Sequence, residues 1–184
     1  PQLKIMGIEA VKSSTPAPCR QKIKDALKII MGGDEKMLNS FIQEFRKEFM
    51  SLPPEDIAYP RSINGLSKFS DTSQLFAKGA PIHVKGGILY NHLLQKLKLS
   101  HKYPYIQEGD KIKFLHLKLP NVYQSTAISF MTKLPKELDI HDKIDYDIQF
   151  EKSFVEPLKF ITDKILWRID NSYGTQGTLE DFFG

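Results

Sequence analysis

The chain has 184 residues, of which 41% are hydrophobic and 26% are charged. This composition is typical of a globular domain with a buried core. A single cysteine, Cys19, excludes an internal disulfide and a cysteine-based zinc site, and it favours a reducing compartment. No apolar run approaches the roughly 18 residues of a membrane span, and Pro1–Ala10 lacks the apolar core of a signal peptide. We therefore expect no membrane partner.

The net charge of +4 is unevenly distributed along the chain. Residues 1–30 carry six Lys or Arg against two acids, and residues 83–118 carry seven Lys against two acids. Residues 134–156 have the opposite balance, with seven acids against three Lys. Two basic stretches that are separate in sequence can form one binding surface for a polyanion. The alternative is that these lysines are scattered over the surface and serve solubility.

The apolar spacing predicts a helical hairpin near the N-terminus. Residues 19–30 have helical periodicity after the polar cluster Ser13–Pro16, which is typical of a helix start. The pair Gly32–Gly33 ends this helix, and Asp34 is expected to cap a second helix that ends before Pro53–Pro54. The apolar face of the second helix consists of Leu38, Phe41, Ile42, Phe45 and Phe49.

The remaining chain predicts further helices with a small β element between them. Residues 55–75 are expected to be irregular and residues 87–99 helical. Alternating apolar and basic side chains predict a strand over 111–119. The last helix is expected over 146–167, with an interruption near Pro157. We thus predict an α+β fold that is mainly α-helical.

The sequence offers few groups for catalysis. Asp142, Asp145 and Asp147 form the densest carboxylate cluster, and such a cluster can bind Mg²⁺. Acids in the first turn of a helix are, however, ordinary partners of the helix dipole. The five histidines lack the spacing of helical metal ligands, and no nucleophile motif accompanies them. We therefore predict neither catalytic nor metal-binding residues in this chain, and a stand-alone enzyme is disfavoured.

Two segments are candidate phosphate sites. Gly86–Gly87 follows His83 and Lys85, and glycines beside basic groups allow backbone N–H groups to approach a phosphate. A simple turn before a helix is the alternative. The second candidate is Lys12–Ser14 together with the N–H groups of the following helix start.

The most specific motif lies at the C-terminus. Leu179, Phe182 and Phe183 are spaced so that one helical turn would place all three side chains on one side, with Gln176 one turn earlier. This pattern resembles the sliding-clamp-binding box, in which such a hydrophobic plug enters a pocket of another protein. The alternative is a terminal turn that folds back onto the core of this chain.

Four segments carry a broader resemblance. The four segments are Lys4–Pro16, Pro81–Asn91, Glu108–Ile112 and Asp145–Leu158. In order along the chain, they resemble the C-terminal thumb portion of family B DNA polymerases of T-even-type bacteriophages. The resemblance implies that residues 1–16 end the palm and connect it to the thumb, that 17–170 form the thumb, and that 171–184 form a tail with the clamp-binding peptide. Because the chain begins with Pro, we expect a segment of a longer polypeptide.

The resemblance also implies a function in DNA replication in the cytoplasm of an infected bacterial host. The thumb would grip double-stranded primer–template DNA through its backbone, and the tail would tether the enzyme to the sliding clamp. The palm, fingers and exonuclease domains would lie upstream, so Mg²⁺ is expected in the palm and no cofactor in this fragment, which alone should not polymerise. The expected clamp-binding residues are Gln176, Leu179, Phe182 and Phe183. The expected DNA-binding residues are Lys4, Lys12, Ser13, Ser14, His83, Lys85, Gly86, Lys111, Lys113 and Lys152.

Within the same segments, Glu9 is expected to orient a neighbouring basic side chain. Tyr90 and Asn91 also match the family pattern, but they could be core and cap residues. A second hypothesis remains for the whole chain, namely a stand-alone adaptor that uses the clamp-binding box to bring another activity to DNA. The coding sequence upstream of Pro1 distinguishes the two hypotheses.

Overall fold

The computed structural model describes residues 11–71 and 75–170. These residues belong to two compact units, one from the described parts of Pro1–Leu52 and Phe150–Gly184 and the other from Pro53–Gln149. In chain order, the helices are α1 (Ala17–Gly32), α2 (Glu35–Phe49), α3 (Pro54–Ile57), α4 (Leu66–Phe69), α5 (Ile82–Lys96), α6 (Tyr146–Phe150) and α7 (Glu156–Thr162). The strands are β1 (Tyr59–Ser62), β2 (Lys111–His116) and β3 (Ala127–Phe130). The predicted mainly helical α+β fold is confirmed.

The first unit contains the predicted helical hairpin of α1 and α2. Asp34 caps α2, because its Oδ1 accepts a hydrogen bond of 2.8 Å from the Met37 N–H. Gly33 follows the last residue of α1, as predicted. The residue before α1 is Pro16, so the polar cluster Ser13–Pro16 does not supply the expected Ser or Thr cap.

Aromatic side chains form much of the core of this unit. The Phe45 ring lies 4.7 Å from the Phe154 ring in an edge-to-face arrangement, and the Phe49 ring lies 5.2 Å from the Phe150 ring. Such pairs contribute beyond their buried area. The remaining fully buried side chains of the hairpin include Cys19, Ile23, Ala26, Leu38 and Ile42.

The last helical segment is interrupted where the sequence predicts it. Between α6 and α7, residues Glu151–Val155 form a π-helical turn. Pro157 has no N–H and its ring clashes with the carbonyl group four residues earlier, so a regular α-helix cannot continue through this point. A short 3₁₀ turn, Asp163–Ile165, then ends the helical segment.

The second unit is built on an antiparallel sheet in the order β1-β2-β3. Tyr59 lies opposite Phe114, and Phe114 lies opposite Ser129. Helix α5 packs against this sheet, and its side chains Val84, Leu89, Leu93 and Leu94 are almost completely buried. Two further 3₁₀ turns, Lys136–Leu138 and His141–Lys143, follow β3.

The second unit differs from the sequence-based expectation in two places. The predicted irregular segment 55–75 contains α3, β1 and α4. Helix α5 begins at Ile82 rather than at residue 87, so Gly86 and Gly87 lie inside the helix. Packing against the sheet offsets the low helix propensity of glycine here. Among the described residues, no helix is long and apolar enough to cross a membrane.

Candidate nucleic-acid interface

Strand β2 carries two of the predicted basic residues, and the alternation of its side chains places both on one face. Lys111 and Lys113 point to one face of the sheet, and Phe114 points to the other. Lys111 is exposed. Lys113 is partly buried, and its Nζ donates a hydrogen bond of 2.9 Å to the backbone oxygen of Glu55. Lys113 therefore links β2 to α3, whereas Lys111 presents its charge to solvent.

His83 is the second residue of α5 and lies on the opposite face from Lys111 and Lys113. Its ring is partly buried, 6.1 Å from the Phe114 ring. Burial lowers the pKa of His83, the nearby charge of Arg61 lowers it further, and a hydrogen bond with the Ser62 backbone partly opposes both effects. At neutral pH the imidazole is therefore uncharged and acts as a polar group rather than as a cation.

Lys85 lies two residues further along α5. Its Nζ is 5.5 Å from the centre of the Phe76 ring, close enough for a cation–π contact. The side chain is only partly buried. Lys85 thus keeps its charge near the surface while its position is restricted by an aromatic neighbour.

Gly86 has a packing role. It is buried, and a Cβ at this position would lie 2.5 Å from Ser129 Oγ and 2.7 Å from Ser129 N. In a helix only the first four N–H groups lack an intrahelical acceptor, and Gly86 is the fifth residue of α5. The Gly86 amide is therefore not placed to face a phosphate, contrary to the prediction from the sequence. Instead, the absence of a side chain at Gly86 lets α5 approach β3 closely.

Arg61 is a basic residue near His83 that sequence reasoning did not identify. It lies on β1 and shares a face of the sheet with Tyr59 and Phe114. The Cζ atom of its guanidinium group is 5.4 Å from the centre of the Phe114 ring and 6.0 Å from that of Tyr59. The register between β1 and β2 brings these groups together, and the isolated segment 59–62 gives no signal of it.

The first unit places Lys12 and Ser13 at the surface, in a turn closed by a 2.9 Å hydrogen bond from the Thr15 N–H to the Lys12 backbone oxygen. Ser14 is partly buried. The start of α1 offers fewer N–H donors than predicted. Pro18 has none, and the N–H groups of Cys19 and Arg20 both donate to the Pro16 backbone oxygen. Lys12 is thus the main charge at this site.

The remaining predicted contacts have different outcomes. Lys152 is exposed and lies in the π-helical turn. Lys4 and Glu9 lie outside the described residues, as do the tail positions Gln176, Leu179, Phe182 and Phe183.

The aspartate cluster has a local structural role at Asp145. Its Oδ1 accepts a hydrogen bond of 3.1 Å from the Ile148 N–H at the start of α6, as the helix-start interpretation expects. Within residues 11–71 and 75–170, no group of three or more His, Cys, Asp or Glu side chains is arranged to hold a metal ion.

Tyr90 is a core residue, whereas Asn91 lies inside α5 and does not cap it. Tyr90 is 3% exposed, and burial raises the pKa of its hydroxyl group to about 12. The Asn91 side chain makes two hydrogen bonds with the backbone of Ile106: its Nδ2 donates to the oxygen at 2.9 Å and its Oδ1 accepts from the N–H at 2.8 Å. These contacts fix the loop after α5.

Comparison with known proteins gives two relatives, while no family model matches the chain. The chain is 31% identical over 162 residues to the DNA-directed DNA polymerase of Enterobacteria phage T4, an alignment that covers 86% of this chain and 18% of that protein. It is 31% identical over 188 aligned positions to the DNA-directed DNA polymerase of Escherichia phage RB69, which covers 100% of this chain and 20% of that protein. The chain thus spans about a fifth of the length of these relatives. It is therefore homologous to a part of the phage T4 and RB69 DNA-directed DNA polymerases.

Proposed function

We propose that the chain is the thumb-containing segment of a family B DNA polymerase that replicates DNA in the cytoplasm of an infected host, and that it binds primer–template duplex through the sugar–phosphate backbone. The observation that carries this proposal is the 31% identity to the RB69 polymerase along the entire chain. A replicative enzyme must hold every sequence equally, so phosphate contacts suit this role better than base contacts.

The charges of the described residues support backbone binding. Lys12, Lys111 and Lys152 are exposed, and Lys85 is partly exposed. The chain as a whole carries a net charge of +4. An exposed ammonium group binds phosphate without reading the base sequence, because each phosphate presents the same charge. These four side chains are the proposed cationic contacts, together with Lys4.

In this proposal the catalytic aspartates and their Mg²⁺ belong to an upstream palm domain, so the segment alone does not polymerise. The tail contributes a second binding function: Leu179, Phe182 and Phe183 would enter a pocket of the sliding clamp, and Gln176 would bond beside it.

Duplex binding is tested by titrating the 184-residue chain with primer–template DNA at several salt concentrations. The logarithm of the binding constant should fall linearly with the logarithm of salt, by about 0.9 for each phosphate neutralised. Lys12→Gln, Lys111→Gln and Lys152→Gln should each reduce the slope by about that amount. Lys96→Gln is the matched control, because Lys96 is exposed at the opposite end of α5 from His83 and Lys85. Salt-independent binding, or binding to one sequence only, would contradict the proposal.

Clamp tethering is tested with the sliding clamp of a T4-like phage. The double variant Phe182→Ala with Phe183→Ala should abolish binding to the immobilised clamp and leave the circular dichroism spectrum unchanged. Phe160→Ala is the control, since Phe160 is also an exposed phenylalanine, at 53% of its surface, but lies in α7. Undiminished clamp binding by the double variant would disprove the tail assignment.

The adaptor hypothesis makes a different prediction about the gene. A continuous reading frame upstream of Pro1 that encodes a palm with paired aspartates supports the polymerase segment. A stop codon followed by an independent start supports the adaptor.

A further inference from the structure

Arg61 and His83 flank the same aromatic side chain in the second unit. The Arg61 Cζ atom lies 5.4 Å from the centre of the Phe114 ring, and the His83 ring lies 6.1 Å from it. The two residues come from different elements, the outer strand β1 and the first turn of α5. We call Arg61, His83 and the rings of Tyr59 and Phe114 the Arg61–His83 cluster.

The position of the Arg61 guanidinium group is well defined. Besides its approach to Phe114 and Tyr59, its Nη1 donates a hydrogen bond of 2.8 Å to the Pro60 backbone oxygen. A guanidinium group held beside aromatic rings and by a hydrogen bond loses less conformational freedom when its N–H groups bind an anion. Aromatic neighbours therefore preorganise Arg61 for binding.

Positive charge lies beside the cluster. Arg61 is permanently charged, and its charge contributes to the lowered pKa of His83. The N-terminus of α5 adds the positive end of a helix dipole beside His83. Lys85 lies in the same first part of α5, and His116, whose ring is 5.7 Å from Phe114, is the other titratable side chain on this face of β2. The ligand that matches this environment is an anion.

We propose that Arg61 contacts a phosphodiester group of bound nucleic acid, with the His83 imidazole beside the same phosphate. This inference rests on the proposed function, because it assigns a new residue to the duplex-binding surface. Guanidinium groups bind phosphate through paired N–H donors in a fixed plane. A phosphodiester is present at every nucleotide, so this contact is independent of sequence.

The first test compares Arg61→Gln and Arg61→Lys in the 184-residue chain with the same primer–template duplex. Arg61→Gln should weaken binding roughly tenfold, the typical effect of losing one charge-assisted hydrogen-bonded contact, and should reduce the salt slope by about 0.9. Arg61→Lys should keep the slope, because the charge remains, but recover only part of the affinity, because the planar group is lost. Lys96→Gln should leave both quantities unchanged. A purely structural Arg61 would lower the melting temperature of both variants and leave the salt slope intact.

The second test does not depend on a variant. The His83 imidazole resonances are followed by NMR in the wild-type chain as pH is varied, with and without duplex. A phosphate beside the ring favours its protonated form, so duplex should raise the pKa of His83. Duplex binding without any change at His83, together with wild-type affinity and slope for Arg61→Gln, would overturn this inference and leave the proposed function standing. A wild-type chain that fails to bind duplex would overturn the proposed function, and this inference with it.

Discussion

The close approach of α5 to β3 predicts that Gly86→Ala destabilises the second unit. A Cβ at Gly86 would lie 2.5 Å from Ser129 Oγ, 2.7 Å from Ser129 N and 2.9 Å from the Ile128 carbonyl carbon. The hydroxyl oxygen could move by rotation of the Ser129 side chain. The other two atoms are backbone atoms of a buried strand, so relief requires that α5 and β3 move apart.

The expected loss of stability combines two destabilising contributions and one stabilising contribution. Forcing a methyl group into a packed interface costs about 1–3 kcal/mol, with backbone neighbours at the upper end. Moving the elements apart also weakens the 2.8 Å hydrogen bond from Ser129 Oγ to the His83 backbone oxygen, a bond worth about 1 kcal/mol. The higher helix propensity of Ala returns about 1 kcal/mol. Gly86→Ala should thus lower the free energy of unfolding by about 2–3 kcal/mol.

Urea unfolding followed by far-UV circular dichroism measures this loss, and two other glycines serve as controls. Gly32→Ala should be neutral or stabilising by up to about 1 kcal/mol, because Gly32 lies in α1 with open space around its Cβ position. Gly87→Ala should cost less than Gly86→Ala, because its nearest neighbour is the flexible end of the Ile63 side chain. The packing argument is refuted if Gly86→Ala is as stable as the wild type or no less stable than Gly87→Ala.

Two further predictions concern buried polar and titratable groups. Asn91→Ala removes two hydrogen bonds to the Ile106 backbone, so it should cost about 1–3 kcal/mol and accelerate hydrogen exchange of the Ile106 amide; unchanged exchange would contradict the role of Asn91 in fixing this loop. Burial raises the pKa of the Cys19 thiol from 9.0 to about 11. The folded state therefore holds this proton more tightly than the unfolded state, and stability should fall as pH rises from about 9 towards 11. The urea midpoint of Cys19→Ala should depend less on pH over that range, and an equal dependence in both proteins would contradict this assignment.

The sequence was most informative where local interactions decide the structure. Asp34 caps α2 through an N–H group three residues away, and the π-helical turn precedes Pro157 because the proline ring acts on its own preceding turn. Such signals lie within a few residues of the feature that they determine. The hairpin and the interrupted last helix were predictable for this reason. The four segments of the family resemblance were likewise readable from the sequence, and the 31% identities to two phage polymerases agree with them.

The tertiary structure decided which side chains share a surface. The register Tyr59 to Phe114 brings Arg61 to the ring that His83 also approaches, while strand alternation sends Lys113 to the opposite face and to the Glu55 backbone. Gly86 likewise changed from a possible phosphate contact to a packing residue because Ser129 of β3 lies against it. Residues 61, 83 and 114 are far apart in the chain, and their proximity depends on strand pairing and on the packing of α5. Local sequence determines helix ends and turns. Long-range strand pairing determines which charged side chains lie together on the surface that a polyanion would contact.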